Sequence, residues 1–196
     1  MRSLRHILNQ LFRGPPGPPG QRGPPGSVDP DMMPIRLPVS IIVLAPVPTS
    51  TAFDQVQATV AESVKFWEGI GIRLQPHIRG YRSELDPSKD YELNYLNRWD
   101  IGEHLPVIFV FPWATFLSGN NAGHAWREDG VAAVAGGHNV ATGHLDEVIN
   151  HELGHLLSLD HEDKTFMRAV LETESRTVTP AQRGTIRRVA RQYGGL

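Results

Sequence analysis

The sequence predicts an α/β domain (α+β in some schemes) built on a twisted, mixed and mostly parallel sheet. Three features carry that expectation. Residues 105–111, LPVIFVF, are almost continuously apolar, as in a strand buried on both faces of a helix-covered sheet. Residues 35–45, IRLPVSIIVLA, are rich in β-branched side chains and flanked by prolines, which reads as a second buried strand. Around these segments extended and helical patterns follow one another in an α/β order. At 196 residues and 21.7 kDa the chain is long enough for one domain with a sizeable core and too short for two.

In chain order, residues 1–13 read as a poorly ordered terminal segment, with Leu4, Ile7, Leu8 and Leu11 at helical spacing but little else to hold a helix. Residues 14–26, GPPGPPGQRGPPG, place glycine at every third position beside proline. That is the pattern of collagen, whose crowded axis admits only glycine. So short a run is read as an extended single-chain spacer, with a homotrimer through residues 14–26 as the alternative and a monomer expected. The domain is expected to span 35–196. After its first strand, Thr51 and Asp54 match a capping box, and Phe53, Val56, Val60, Val64 and Trp67 follow at helical steps until Gly69 and Gly71. A strand over 72–81 follows, and Asp86, Pro87 and Ser88 mark a turn into a poorly periodic stretch. Beyond 105–111, the segments 121–126 (NAGHAW) and 131–136 (VAAVAG) look extended. Their small residues suggest close backbone approach or a position near the sheet edge. A second long helix should begin near Gly143.

Composition excludes several classes. The formal charge of -2 announces no nucleic-acid partner. The average hides an asymmetry, because residues 1–26 hold four arginines and no acid, leaving -6 on residues 27–196. With no cysteine, disulfide scaffolds, thiolate metal sites and cysteine nucleophiles are ruled out. No apolar run approaches the roughly 18 residues of a membrane span. The opening MRSLRHILNQLF is broken by His6, Asn9 and Gln10 before a signal-peptide core forms, so no signal peptide is recognisable.

The informative stretch is LDEVINHELGHLLSLDH, residues 145–161. On a helix, Leu145, Val148, Ile149, Leu153, Leu156 and Leu157 form one apolar arc, and His151 and His155 stand one above the other on its border. Asp146 and Glu147 suit the positive end of the helix dipole. His151, Glu152 and His155 form an H-E-x-x-H pattern, two nitrogen ligands for one ion beside a carboxylate. On a continued helix His161 would lie about 240° around the axis from His155. It joins the other two only if the chain leaves the helix near Ser158 and folds back.

In this stretch the sequence resembles the metzincin clan of zinc endopeptidases, whose motif H-E-x-x-H-x-x-G-x-x-H is matched from His151 to His161 except that Ser158 stands at the turn glycine. The nearest relatives by this resemblance are small matrixin-like or bacterial metzincins. The resemblance implies a metzincin-like zinc peptidase domain with an active-site helix and a C-terminal helix. It implies one catalytic Zn2+ held by His151, His155 and His161, and Met167 in a tight turn beneath the metal. Three protein ligands leave a position open for water, as in catalytic zinc sites, and Glu152 then acts as general base and acid in peptide hydrolysis. The partner implied is a peptide or protein substrate. An extracellular setting is implied too, which the missing signal peptide leaves open.

The closing helix has its own start signal: Thr179 as cap, Pro180 in the first turn and Gln182 completing a capping box, with Ile186, Val189 and Tyr193 on one face and Arg183, Arg187, Arg188 and Arg191 on a solvated one. A second, structural ion on His124, His138, His144 and Asp129 is not expected. Asp160 as an oxygen ligand in place of His161, or more distantly Glu172 or Glu174, stays an alternative. His6, His77 and His104 are read as surface residues. Two other function classes stay open: an inactive zinc-binding relative that recognises peptides or proteins, hinted at by Ser158, and a collagen-like trimeric structural protein.

Overall fold

The computed structural model describes residues 33–47, 49–96, 106–137, 139, 143–168 and 176–194. The chain divides into two units, Met1–Met32 and Met33–Leu196. The first, with the segments 1–13 and 14–26, lies outside the described residues, as do His104, His138, Glu172 and Glu174.

Within the second unit the order is β1 (Ile35–Ala45), α1 (Ser50–Gly69), β2 (Ile72–Arg82), the one-turn α2 (Asp90–Leu93), β3 (Val107–Phe111), β4 (Gly123–Trp126), β5 (Val131–Ala135), α3 (Leu145–Leu156) and α4 (Pro180–Gly194). The five strands form one sheet in the order β2-β1-β3-β5-β4. β2, β1, β3 and β5 run parallel, with Ile35 opposite Ile72, Ser40 opposite Val107 and Val107 opposite Val131. Only β4 is antiparallel, pairing Gly123 with Val134 across a hairpin. The α/β expectation and its mostly parallel sheet are therefore what the chain forms.

Strand alternation sorts the core into two layers. Leu37, Val39, Ile41 and Val43 of β1, Ile108 and Val110 of β3, and Ala132 and Val134 of β5 face one way. There they meet Val56, Val60 and Trp67 of α1, the apolar arc of α3, and Ile186, Val189 and Ala190 of α4. Ile42 and Leu44, Phe109 and Phe111, and Ala133 and Ala135 face the other way, against Leu93, Leu96, Ala114 and Leu117. Burial on both faces of the central strands holds as predicted from LPVIFVF. Among the described residues the longer helices cover one face only, and the opposite cover includes α2 with irregular segments, which carry no periodicity to read. Each fully buried Ile or Leu in these layers contributes about 1.5–3 kcal/mol.

Local chemistry corrects some boundaries. The cap of α1 is Thr49 and not Thr51: its hydroxyl accepts from the Ala52 amide at 3.2 Å. Three consecutive hydroxyl residues, Thr49, Ser50 and Thr51, can each cap, so cap chemistry does not choose among them. β2 tolerates Pro76 because it is a sheet edge with most side chains exposed. The capping box at α4 is present in full: Thr179 Oγ1 accepts from the Gln182 amide at 3.2 Å and Gln182 Oε1 from the Thr179 amide at 3.1 Å. Arg187 departs from the solvated face expected of it, since its guanidinium donates to the carbonyls of Met33 at 2.8 Å and Gly71 at 3.3 Å, tying α4 to the start of β1 and to the α1–β2 turn. Among the described residues no helix is long and apolar enough to cross a membrane.

Candidate metal centre

The arc predicted on α3 is buried throughout: Leu145, Val148, Ile149, Leu153, Leu156 and Leu157 are each at most 2 % exposed. Packing that arc against β5 and α1 turns the polar border, with His151, Glu152 and His155, toward β4 and the chain beyond the helix. Asn150 adds a buried polar anchor, its Oδ1 accepting from Trp67 Nε1 at 2.8 Å.

The reversal on which the third histidine depends is present. The Leu159 amide donates to the Gly154 carbonyl at 3.0 Å and the Ser158 amide to that of His155 at 2.9 Å, which is the Schellman pattern, with the left-handed residue between. That residue is Ser158, at φ 66°. The turn uses a conformation that costs a side-chain-bearing residue roughly 1–2 kcal/mol, and Leu159 is buried beneath it.

The chain then brings His161 back. The Nε2 atoms of His151 and His155 are 3.0 Å apart, those of His155 and His161 3.2 Å, and those of His151 and His161 3.3 Å. A zinc about 2.0 Å from three nitrogens at tetrahedral angles spaces them by roughly 3.3 Å, so this triangle has the size of one face of such a coordination sphere. The tautomers fit as well. His151 Nδ1 lies 3.2 Å from the Phe166 carbonyl and His155 Nδ1 2.9 Å from that of Leu159; the tautomers with the proton on Nδ1 donate to these carbonyls and leave the Nε2 lone pairs aimed at the common point. Burial, reinforced by the neighbouring His155, pushes His151 down to about 4, and burial also lowers His155, so both are neutral ligands near pH 7. Among the described residues this trio is the one group of its kind able to hold an ion.

Glu152 lies against β4. It is 4 % exposed, its Oε2 has no hydrogen-bond partner, and burial raises its carboxyl to about 8 against a small opposing pull from Arg127. A Cβ built on Gly123 would fall 2.6 Å from Glu152 Cδ, so the carboxylate occupies the space a side chain at 123 would take. Sequence reasoning expected close approach from the glycines of 121–126 without saying to what.

Met167 is fully buried in the turn after His161. Its side chain packs on Gly154 between the two helix histidines, and a Cβ there would meet Met167 Cε at 3.2 Å and Phe166 Cε2 at 3.1 Å. The turn is closed by the Glu162 amide donating to the Met167 carbonyl at 3.0 Å. Thr165 Oγ1 serves as a hub, donating to the Glu162 carbonyl at 2.8 Å and accepting from the Met167 amide and from Gln182 Nε2, both at 3.1 Å. The capping-box glutamine of α4 thus also braces the turn that carries Met167.

The other histidines among the described residues are dispersed. His124 on β4 is exposed and stacks edge-on to Trp126 at 4.6 Å. His144 precedes α3, 3.5 Å from Glu147, and His77 is exposed on β2. Asp160 pairs with Arg127 at 2.7 Å, whose guanidinium pulls its carboxyl below the usual range. Tyr193 packs against the core. Arg127 gave no signal in the sequence: it stands 28 residues before His155, and only the placement of the β4–β5 hairpin joins the two.

No family model matches the chain, and no curated protein matches it in sequence. Solved structures do. Archaemetzincin from Methanopyrus kandleri superimposes with a TM-score of 0.56 at 14% identity, over 85% of this chain and 97% of that one. Metalloproteinase-II from Bacteroides fragilis superimposes with a TM-score of 0.57 at 18% identity, over 81% of this chain, which spans 54% of the other. At such identity the likeness is one of fold. The chain shares the fold of these metalloproteinases, and its histidine trio is consistent with zinc.

Proposed function

We propose that the protein is a zinc-dependent endopeptidase of the metzincin kind, related to the small matrixin-like or bacterial members. In this reading one ion is held by His151, His155 and His161, Glu152 moves the proton, and Met167 forms the turn beneath the metal. The observation that carries it is the convergence of three Nε2 atoms within 3.3 Å of one another, together with a buried carboxylate oxygen that has no partner. The fold shared with two metalloproteinases supports the same reading.

When bound, zinc supplies the positive charge that acidifies a water and polarises a peptide carbonyl. Glu152 takes the water proton at its unpartnered oxygen and delivers it to the departing amine. Burial makes its carboxylate a stronger base than an ordinary glutamate, suited to take that proton and hold it until the amine departs. β4, a sheet edge, presents backbone groups to an extended peptide that adds as a further strand. The residues between His161 and Met167 shape the pocket beyond the cleaved bond.

Residues 35–196 are the catalytic domain in this proposal and residues 14–26 a spacer in a monomeric chain. Sedimentation tests the latter: a trimer that disappears on deleting 14–26 overturns it. The central test is metal analysis combined with a peptide-library cleavage assay with and without chelator. One equivalent of zinc and chelator-sensitive endoproteolytic cleavage are expected. Glu152→Gln should retain zinc and lose turnover by on the order of 100-fold or more. Zinc binding without cleavage of any peptide would instead favour an inactive, peptide-recognising relative.

A further inference from the structure

Arg127 follows β4 directly and sits at the start of the tight hairpin to β5, where the Asp129 amide donates to the Trp126 carbonyl at 3.1 Å. Its guanidinium reaches over the C-terminal end of α3. Nη2 donates to the Leu159 carbonyl at 2.5 Å and Nη1 to Asp160 Oδ1 at 2.7 Å, while Nη2 also lies 2.9 Å from His155 Nδ1. The Leu159 carbonyl is therefore held from two sides, by the imidazole of one candidate ligand and by the guanidinium. Both residues that Arg127 binds, Leu159 and Asp160, immediately precede His161.

These contacts fall beside a residue in a disfavoured backbone conformation. Ser158 takes the left-handed conformation at φ 66° with an exposed side chain, and every alternative conformation open to a serine swings residues 159–161 off the reversal. Leu159, 5 % exposed, anchors the apolar side of the loop; on its polar side Arg127 reaches in from the β4–β5 hairpin to bind both the Leu159 carbonyl and Asp160.

We propose that Arg127 is a positioning residue that clamps the reversal after α3 and so holds His161 in the histidine triangle, compensating for a serine where the turn favours glycine. The proposal rests on the metal reading given above, and extends it to a residue of the β4–β5 hairpin. It makes the substrate-facing edge strand and the third ligand one mechanical unit. The pair with Asp160 is largely solvated, with side chains 40% and 87% exposed, so its contribution is to direction more than to global stability.

The test compares the wild-type protein with Arg127→Ala, Ser158→Gly, the double variant and Arg127→Lys. Zinc affinity is measured by competition with a chromophoric chelator, site geometry by the visible spectrum of the Co(II)-loaded protein, and stability by metal-free thermal melting. Arg127→Ala should bind zinc about 10–100-fold more weakly, with an altered Co(II) spectrum and near-wild-type metal-free melting. Ser158→Gly in that background should recover most of the affinity, because glycine adopts positive φ without penalty. Arg127→Lys, a point charge unable to fork onto both acceptors, should recover only part.

Unchanged zinc affinity and spectrum in Arg127→Ala overturn the proposal, as does a loss that Ser158→Gly fails to rescue. The two readings fail separately. Zinc bound without peptide cleavage sinks the peptidase and leaves the clamp, whereas cleavage with an indifferent Arg127→Ala sinks the clamp alone. A wild-type protein that binds no zinc overturns both.

Discussion

Gly123 matters for the atoms it lacks. Its Cα backs the Glu152 carboxyl so closely that a methyl group there would overlap Cδ and Cγ, each 2.6 Å from the added carbon. Gly123→Ala must therefore move either the edge strand or the carboxylate, and the carboxylate is the softer of the two. On the proposed peptidase reading, turnover is expected to fall on the order of 100-fold, in line with a misplaced proton-transfer group, while bound zinc stays near one equivalent; full activity would show that the carboxylate is not held against the strand. Glu152 also leaves a signature in the metal-free protein. Burial raises its folded pKa from 4.5 to about 8, so its contribution to stability is fully present below pH 4.5 and is lost as pH climbs through 8. His151 has the opposite sign: lowered from 6.5 to about 4, it contributes above pH 6.5 and loses that contribution as pH falls through 4. Between pH 6.5 and 8 the lowered histidines add only the tail of their unfolded-state titration, of opposite sign, so the glutamate dominates the change. Denaturant titrations of metal-free protein should lose on the order of 1–2 kcal/mol across that window, and Glu152→Gln should flatten the slope. An equal slope in both proteins would mean the carboxyl is not desolvated.

At the scale of elements, α3 is held to its surroundings by an absence and a hub. Met167 packs on the bare Cα of Gly154, and Thr165 links the turn that carries Met167 to Gln182 of α4. Alanine at 154 would improve helix propensity by roughly 0.5–1 kcal/mol, but overpacking against buried sulfur and ring atoms costs about 1–3 kcal/mol. The clash wins, so Gly154→Ala should lower the melting temperature and weaken zinc binding. A more stable variant would show that the turn yields freely. The same elements explain what was readable in advance. The apolar arc of α3, the box at Thr179 and Gln182, and the continuous run of β3 are local patterns, and each fixes its element without knowledge of the rest. The His161 reversal was legible because a straight helix made the motif useless. By contrast, the true cap of α1 was hidden among three adjacent hydroxyl residues, and the cover over Phe109 and Phe111 was hidden because irregular chain has no period. The contacts of Arg127 and Gly123 depend on β4 lying at the sheet edge beside α3. That follows from strand order, which the sequence pattern does not encode locally.

For the whole domain, the histidine triangle joins pieces of chain that differ in how firmly they are held. His151 and His155 belong to α3, packed into the main core, whereas His161 is exposed on the returning loop, followed by Glu162, Asp163 and Lys164, all exposed. An ion bound at the common point cross-links loop to core only in the folded state, so binding energy adds directly to folding stability. With free zinc a thousandfold above Kd the gain is about 4 kcal/mol, and for a domain of this length that raises the melting temperature by roughly 8–16 °C. Excess chelator should reverse the shift. His161→Ala separates the linkage from ordinary packing: an exposed imidazole contributes little to the metal-free fold, so that variant should melt with the wild type in chelator and fall well behind it in zinc. Coincident melting in zinc would mean that the loop ligand takes no part in binding, and that the ion, if held at all, is held by α3 alone.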